Sequence, residues 1–325
     1  MKAIVYHRYG SPDVLEYKEI ETPAPENDQV LIEVHAASVN PIDWHFMRGT
    51  PYFARIISGL RKPKSSRLGA DVAGRVEAAG RNVTRFKPGD EVYGTARGAF
   101  AEYTCTPERA LALKPNNATF EQAAAVPVAA FTAIQSLRKG RIQPGHKVLI
   151  NGAAGGVGTF AVQIAKWFGA EVTGVCSTRN VEMVRSIGAD RVIDYTRHNF
   201  TEGYEHYDII VDCIGNHSLS AFRRVLKAKG SYIMIGGPTG RWFRPMDRGI
   251  RALLLSPFVS QKLAMFLAKS SKDDLAVLRD LIEAGKVTPV IDRYFGLSEV
   301  PRAIRYLEEG HARGKVVITI KENER

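Results

Sequence analysis

The chain has 325 residues, 45 Lys and Arg against 34 Asp and Glu, a net charge of +11, 45% hydrophobic residues and 24% charged ones. That length admits two domains with a substantial core, and the composition excludes a disordered chain, a collagen-like fibre and a coiled coil. Three cysteines (Cys105, Cys176, Cys213) are too few and too scattered for a disulfide framework or a structural zinc site, which points to a reducing compartment.

Residues 1–110 read as short β-strands. KAIVYHRY, QVLIEVHAAS, DVAGRVEAAG and EVYGTARGAFAEYTC are rich in Val, Ile and Tyr and are separated by Pro-Asp and Pro-Gly-Asp turns. Near Phe120 the texture changes. EQAAAVPVAAFTAIQSL reads as a helix, HKVLIN as a strand, GVGTFAVQIAKWFG as a helix and EVTGVC as a strand; NVEMVRSIG (helix), YDIIVDCIG (strand), SLSAFRRVLKAKG (helix) and SYIMIGG (strand) follow. This alternation predicts an α/β doubly wound parallel sheet. After about residue 287 short strands return, with one helix and a last strand, KVVITI, so the C-terminal piece is expected to complete the first domain.

The opening MKAIVYHRYG lacks the apolar run of a signal peptide, and no stretch of ~18 uninterrupted apolar residues occurs. A cytoplasmic chain with no membrane span is therefore expected.

The charge is uneven. Residues 44–70 hold Arg48, Arg55, Arg61, Lys62, Lys64 and Arg67 and no acid; residues 216–272 hold eleven Lys or Arg and one acid, Asp247. These are solvated basic faces, a funnel for an anionic ligand, or a surface for nucleic acid or acidic lipid. No nucleic-acid motif and no interleaving of aromatics with the basic residues is present, so no nucleic acid is expected.

The strongest local signal is Asn151-Gly-Ala-Ala-Gly-Gly-Val-Gly158. It follows an apolar strand and opens a helix whose Val157, Phe160, Ala161, Ile164 and Ala165 recur at helical spacing. Glycines there allow a tight turn and let backbone N–H groups approach a pyrophosphate at the positive end of a helix. Gly152, Ala153, Gly155, Gly156, Val157 and Gly158 are thus candidate cofactor residues. Ala154 stands where the second glycine of plain G-x-G-x-x-G would be. About 20 residues on, where an NAD site places an acid, the chain reads Val175-Cys-Ser-Thr-Arg-Asn180. Ser177 and Thr178 are candidates to donate to a 2′-phosphate and Arg179 to pair with it, which favours NADPH; the alternative is that Arg179 only begins a helix and faces water.

In the first domain, Asn40-Pro-Ile-Asp-Trp-His45 forms a polar cluster. His45 has the chemistry to transfer a proton, or it is a surface histidine; Asp43 is a catalytic candidate, or an N-cap or turn residue.

At these residues the chain resembles the medium-chain dehydrogenase/reductase superfamily. It is most similar to the zinc-independent quinone oxidoreductase branch, with its zeta-crystallin and reticulon-interacting reductase relatives. The resemblance runs end to end through Ser38-Val-Asn-Pro-Ile-Asp43, Gly69-Ala-Asp-Val-Ala-Gly74, Val83-Thr-Arg-Phe-Lys-Pro-Gly-Asp-Glu-Val92, Gly98-Ala-Phe-Ala-Glu-Tyr103, Ala125-Val-Pro127, the glycine turn and Gly314-Lys-Val-Val317. It implies a GroES-like β domain from both chain ends (1–122 and 287–325) and a Rossmann domain (123–286). It also implies that Asn40 contacts the nicotinamide ribose, that Thr132 lies near the nicotinamide, that Lys315 belongs to the cofactor site, and that Ser177, Arg179 and Tyr195 bind the 2′-phosphate. Zinc relatives carry a cysteine within 38–43, a Gly-His-Glu at the place of Gly69-Ala70-Asp71 and often a four-cysteine lobe near residue 100; this sequence has none of them, so no metal is expected. Many quinone reductases carry a tyrosine where this chain has His45, and residues 51–67 look longer and more basic than the usual loop.

The expected activity is hydride transfer from NADPH to a quinone or to the β-carbon of an α,β-unsaturated carbonyl, with Asn40, Asp43, His45 and Tyr52 as catalytic candidates and the proton from water, His45 or Tyr52. The rival readings are an NADPH-binding protein of low turnover with an RNA- or partner-binding face, and an alcohol dehydrogenase. The apolar segment 252–268, with Phe258 at its centre, is expected at a homodimer contact or beside the substrate; its rivals are a helix buried in its own subunit and an interfacial helix using Arg241, Arg244, Arg248 and Arg251 against acidic lipid.

Overall fold

Two compact units make up the chain: Met1–Phe131 with Ser270–Arg325, and Thr132–Lys269. The computed structural model describes residues 1–237, 246–255 and 259–321. Arg241, Arg244, Pro257 and Phe258 lie outside the described residues, and with them the centre of the apolar segment 252–268.

The first unit is built on a seven-stranded sheet. Its spine is the long strand Gln29–Val39, whose VLIEVHAASV run is buried almost throughout. Asp71–Ala79 and the C-terminal strand Lys315–Thr319 flank this spine, both antiparallel, so that Val39 faces Val316 and Ser38 faces both Val317 and Asp71. Glu91–Thr95 and Leu111–Leu113 extend one side, Ile291–Gly296 the other, and Tyr103–Pro107 pairs with the spine. The stretch read as EVYGTARGAFAEYTC is two strands, interrupted where Gly98 takes φ +94. The GroES-like expectation is met, including the return of the chain's end into the sheet.

The second unit is a six-stranded parallel sheet in the order Arg191–Asp194, Glu171–Cys176, Lys147–Asn151, Tyr207–Asp212, Leu226–Met234, Lys262–Met265. In chain order this is 3-2-1-4-5-6, so the winding reverses between Lys147–Asn151 and Tyr207–Asp212, and such a fold takes its ligand at the carboxyl ends of the strands there.

Three elements differ from the sequence reading. The helix read through Ala125-Val-Pro127 is two, Phe120–Ala124 and Pro127–Lys139, because Pro127 has no N–H to continue the first. SLSAFRRVLKAKG stops being helical at Arg224, and Leu226 onward joins the sheet beside Tyr207. Helix Lys272–Glu283 belongs with the first unit rather than with the Rossmann domain: the Tyr93 hydroxyl donates to the Leu275 carbonyl at 2.7 Å and Asn117 Nδ2 to the Ile282 carbonyl at 3.0 Å. The compact units meet at 131/132 and 269/270. Among the described residues no helix is long and apolar enough to cross a membrane, and the three cysteines are free.

Candidate functional site

In the second unit the sheet ends in the glycine turn. Strand Lys147–Asn151 is buried, and its last side chain crosses the reversal point: Asn151 Nδ2 donates to Asp212 Oδ1 at 2.8 Å and to Asn216 Oδ1 at 2.9 Å. Asp212 is fully buried and also accepts from the Tyr232 hydroxyl (2.6 Å) and from the backbone N–H groups of Ile214 (3.2 Å) and Gly215 (2.9 Å). Three strand ends are thus locked beside the turn. Gly152 adopts φ +88, a conformation L side chains rarely take, and a Cβ on Gly158 would lie 2.1 Å from the Gly152 carbonyl oxygen. Gly155 caps helix Gly156–Trp167, so the N–H groups of Gly156, Val157 and Gly158 have no intrahelical acceptor. Gly152, Gly155, Gly156 and Val157 are only part-buried. Ala153 is fully buried, with its N–H on the Val175 carbonyl at 3.0 Å, so it fixes the turn rather than presenting a side chain. These residues fit a pyrophosphate: donors gathered at a helix N-terminus with no side chain in the way. Thr132 lies on helix Pro127–Lys139 and is mostly buried.

The end of the second strand is arranged less simply than its sequence suggests. Asn180 Nδ2 donates to Ser177 Oγ at 3.1 Å, which leaves the Ser177 O–H free to donate outward. Thr178 is not equivalent. Its one hydroxyl proton goes to Asp194 Oδ2 at 2.6 Å. The segment itself holds no acid, but one arrives from the neighbouring strand: Arg191–Asp194 runs parallel to it with Asp194 level with Cys176. The Thr178 hydrogen bond keeps Asp194 below the usual carboxylate range, and Arg197 stands 3.6 Å from it. Arg179 is exposed in the 3-10 turn Thr178–Asn180, and Tyr195, 54% exposed, follows Asp194 with its N–H on the Cys176 carbonyl.

The first unit holds a buried polar hub. Asp71 is fully inaccessible. Its Oδ2 accepts from Ser38 Oγ (2.7 Å), Asn40 Nδ2 (2.8 Å) and Lys315 Nζ (3.3 Å), and its Oδ1 accepts from the Val128 N–H (2.9 Å), capping helix Pro127–Lys139. Lys315 Nζ also donates to Asn40 Oδ1 at 2.6 Å, and Asn40 Nδ2 to the Ser38 carbonyl at 3.2 Å. Asn40 and Lys315, both candidate cofactor residues, are therefore in direct contact. What remains for a ligand is one Lys315 N–H and the second lone pair of Asn40 Oδ1.

The other candidates of this unit have local duties. Asp43, third residue of helix Pro41–Arg48, accepts the Asn40 N–H at 2.8 Å and the Gly69 N–H at 3.2 Å. It acts as an N-terminal capping residue, and burial pushes its carboxyl up to about 7. His45 Nδ1 lies 2.8 Å from the Thr50 carbonyl oxygen, which can only accept, so Nδ1 carries the hydrogen. Burial holds this imidazole below its ordinary value and so disfavours its charged form. The Tyr52 ring carries the Arg55 guanidinium at 4.6 Å.

Sequence reasoning missed Asp71, Ser38, Asp212 and Asp194 as parts of these sites. The available signal was an acid placed inside or at the end of an otherwise apolar strand, which survives burial only with partners.

Two family descriptions match: "Alcohol dehydrogenase GroES-like domain" over residues 26–116 and "Zinc-binding dehydrogenase" over residues 187–318. A zinc ion does not fit the residues here. Among the described residues no group of three or more His, Cys, Asp or Glu is placed to hold one, and Asp71, at the zinc relatives' ligand segment, already carries the Lys315 ammonium. Over 98% of its length the chain is 38% identical to a 2-methylene-furan-3-one reductase of Solanum lycopersicum, covering 79% of that protein. It is 37% identical, with the same coverage, to an NADPH-dependent alkenal/one oxidoreductase, chloroplastic, of Arabidopsis thaliana. The solved structure of the quinone oxidoreductase from Coxiella burnetii superposes with a TM-score of 0.88 at 32% identity, over 99% of each chain. With the GroES-like sheet, the doubly wound sheet and these relatives, the chain belongs to the medium-chain dehydrogenase/reductase superfamily, in its zinc-independent quinone oxidoreductase branch.

Proposed function

We propose that this protein is an NADPH-dependent reductase that acts on a quinone or on an α,β-unsaturated carbonyl compound. The observation that carries the reading is the turn 151–158, whose Gly158 approaches the Gly152 oxygen too closely for any other residue and whose N–H groups stand at a helix N-terminus. When bound, the dihydronicotinamide supplies the hydride. The protein's own residues bind and orient. The N–H groups of Gly156, Val157 and Gly158 hold the pyrophosphate; Ser177, through its free O–H, and Arg179 hold the 2′-phosphate, with Tyr195 beside them. Lys315 and Asn40 hold ribose oxygens with the N–H and lone pair that the Asp71 hub leaves over, and Thr132 lies near the nicotinamide. Asp43 and Asp71 act as positioning residues. The proton that completes reduction comes from water or from Tyr52 rather than from His45, whose Nδ1–H is held on the Thr50 carbonyl, and rate comes from orientation.

The names of the relatives, reductases of alkenals, enones and quinones, support this acceptor class. A screen of quinones, enals and enones for acceptor-dependent NADPH oxidation tests it. Turnover with one of these classes is expected; NADPH binding without turnover on any of them would return the reading to a cofactor-binding protein.

The free cysteines support a reducing, cytoplasmic setting. A homodimer is supported by the edge strand Lys262–Met265 and by the exposed Ile250, Leu254 and Leu267 around it. Sedimentation at micromolar concentration, with Leu254→Asp as the disrupting variant, tests it; a monomer would refute it.

A further inference from the structure

Residues 44–70 concentrate basic charge, and part of it stands on a tip with a built-in clamp. The segment begins with the 3-10 turn Tyr52–Ala54 and continues as one helical turn, Arg55–Ser58. The Tyr9 hydroxyl donates to the Gly59 carbonyl at 2.6 Å and lies 3.0 Å from Ser58 Oγ. The Tyr9 ring lies 4.4 Å from the Arg55 guanidinium, which also donates to the Gly49 carbonyl at 2.8 Å. Two backbone bonds of 2.8 Å, from Gly59 N–H to the Arg55 oxygen and from Lys64 N–H to the Ser58 oxygen, close the tip. The excursion is therefore ordered in advance, so binding through it loses little conformational freedom.

Its outer surface combines two unlike features. Ile56 and Leu60 are each 70% exposed, among the most exposed large aliphatics described. Arg61, Lys62 and Lys64 are exposed on the same short tip and have no ion-pair partner among the described residues. A protein partner would need an apolar groove together with acids in register with all three cations. Nucleic acid would neutralise the cations and leave Ile56 and Leu60 in water, because bases stack on aromatic rings and guanidinium planes rather than on aliphatics. A bilayer with anionic headgroups satisfies both: acyl chains lie below a layer of negative charge.

We propose that the tip 55–64 docks this protein on anionic lipid, with Ile56 and Leu60 entering the acyl boundary and Arg61, Lys62 and Lys64 meeting the headgroups. The assignment depends on neither the cofactor nor the acceptor, so its failure leaves the reductase reading untouched.

Flotation of the full chain with vesicles of phosphatidylcholine alone, and of phosphatidylcholine with about a quarter phosphatidylserine, tests it. The protein floats with the anionic vesicles and stays behind with the neutral ones. Ile56→Asp and Leu60→Asp each lower the vesicle affinity by about tenfold or more. Arg61→Glu with Lys62→Glu lowers it by a similar amount, and each variant keeps wild-type turnover with a water-soluble acceptor. In Leu60→Trp, indole emission shifts to the blue on anionic vesicles. The proposal is overturned if neutral and anionic vesicles are bound equally or not at all. It is equally overturned if the aliphatic variants bind as wild type, if the indole emission does not move, or if the chain binds single-stranded RNA while leaving the vesicles unbound.

Discussion

Lys315 Nζ donates to Asn40 Oδ1 at 2.6 Å, a bond between residues 275 apart in the chain and both almost wholly buried. It ties the last strand to the start of helix Pro41–Arg48, and through Asp71 to the start of helix Pro127–Lys139. Lys315→Met would leave the Asp71 carboxylate buried without its counter-charge. The expected loss of stability is about 3–5 kcal/mol in denaturant unfolding. Adding Asp71→Asn to Lys315→Met should recover part of that loss, because the stranded charge is gone. A double variant that is less stable than Lys315→Met alone would show that the charge pair is not the source.

The adenosine end of the cofactor site separates residues that the sequence treats alike. Arg179→Ala should weaken NADPH binding by about tenfold and leave NADH binding nearly unchanged, since it removes a charge-assisted pair. Thr178→Ala should do much less, because its hydroxyl proton belongs to Asp194. Asp194→Asn should tighten NADPH by about threefold, by removing a negative charge near a dianion in a solvent-screened place. Calorimetric titration of the three variants with both cofactors checks this; a Thr178→Ala loss equal to that of Arg179→Ala would contradict it.

Asp43 gives the fold a pH dependence of unusual sign for a carboxylate. Its folded-state value is raised to about 7, above the ordinary carboxylate value, so between about pH 4 and 7 the folded chain holds a proton that the unfolded chain has released. Its contribution to stability is therefore full below that window and falls as pH rises through it. Asp43→Asn, which does not titrate, should be less stable than wild type at about pH 5 because it accepts one backbone N–H less well, and the gap should narrow towards about pH 8. Urea unfolding across that range measures it, and a gap that widens with pH would reverse the assignment.

His45 should prove dispensable to chemistry. His45→Gln is expected to lower kcat by less than about threefold at neutral pH, whereas loss of a general acid costs about a hundredfold or more. A bell-shaped kcat profile whose acidic limb vanishes in His45→Gln would restore a proton-transfer role.

The parts of this protein that were legible in its sequence are those whose chemistry is local. The 151–158 turn shows itself because a tight bend, a close approach and a helix start all demand glycine within eight residues, and strand Gln29–Val39 shows itself by a run rich in Val, Ile and Ala, interrupted by single polar residues. The Asp71 hub was not legible, because its partners Ser38 and Asn40, Val128 and Lys315 come from three separate places in the chain. Asp194 was hidden for the same reason: the residue facing Thr178 arrives on the neighbouring strand of the sheet, sixteen positions later. Helix Lys272–Glu283 was not read as an element, although Leu275, Leu278, Leu281 and Ile282 are spaced for one apolar face, and spacing does not say against which sheet that face will lie. Lys227–Gly230 read as a continued helix because Lys and Ala are good helix formers; the pairing of Leu226 with Tyr207 and of Ser231 with Ile209 on either side of them overrode that preference.

The most direct test of the account is the ratio of kcat/KM for NADPH and NADH, measured with one accepted quinone or enone on enzyme treated with a metal chelator. Full turnover after chelation is expected, with at least about a tenfold preference for NADPH, the worth of one charge-assisted contact to the 2′-phosphate. Turnover that disappears with chelation and returns with zinc, or equal values for the two cofactors, would contradict it.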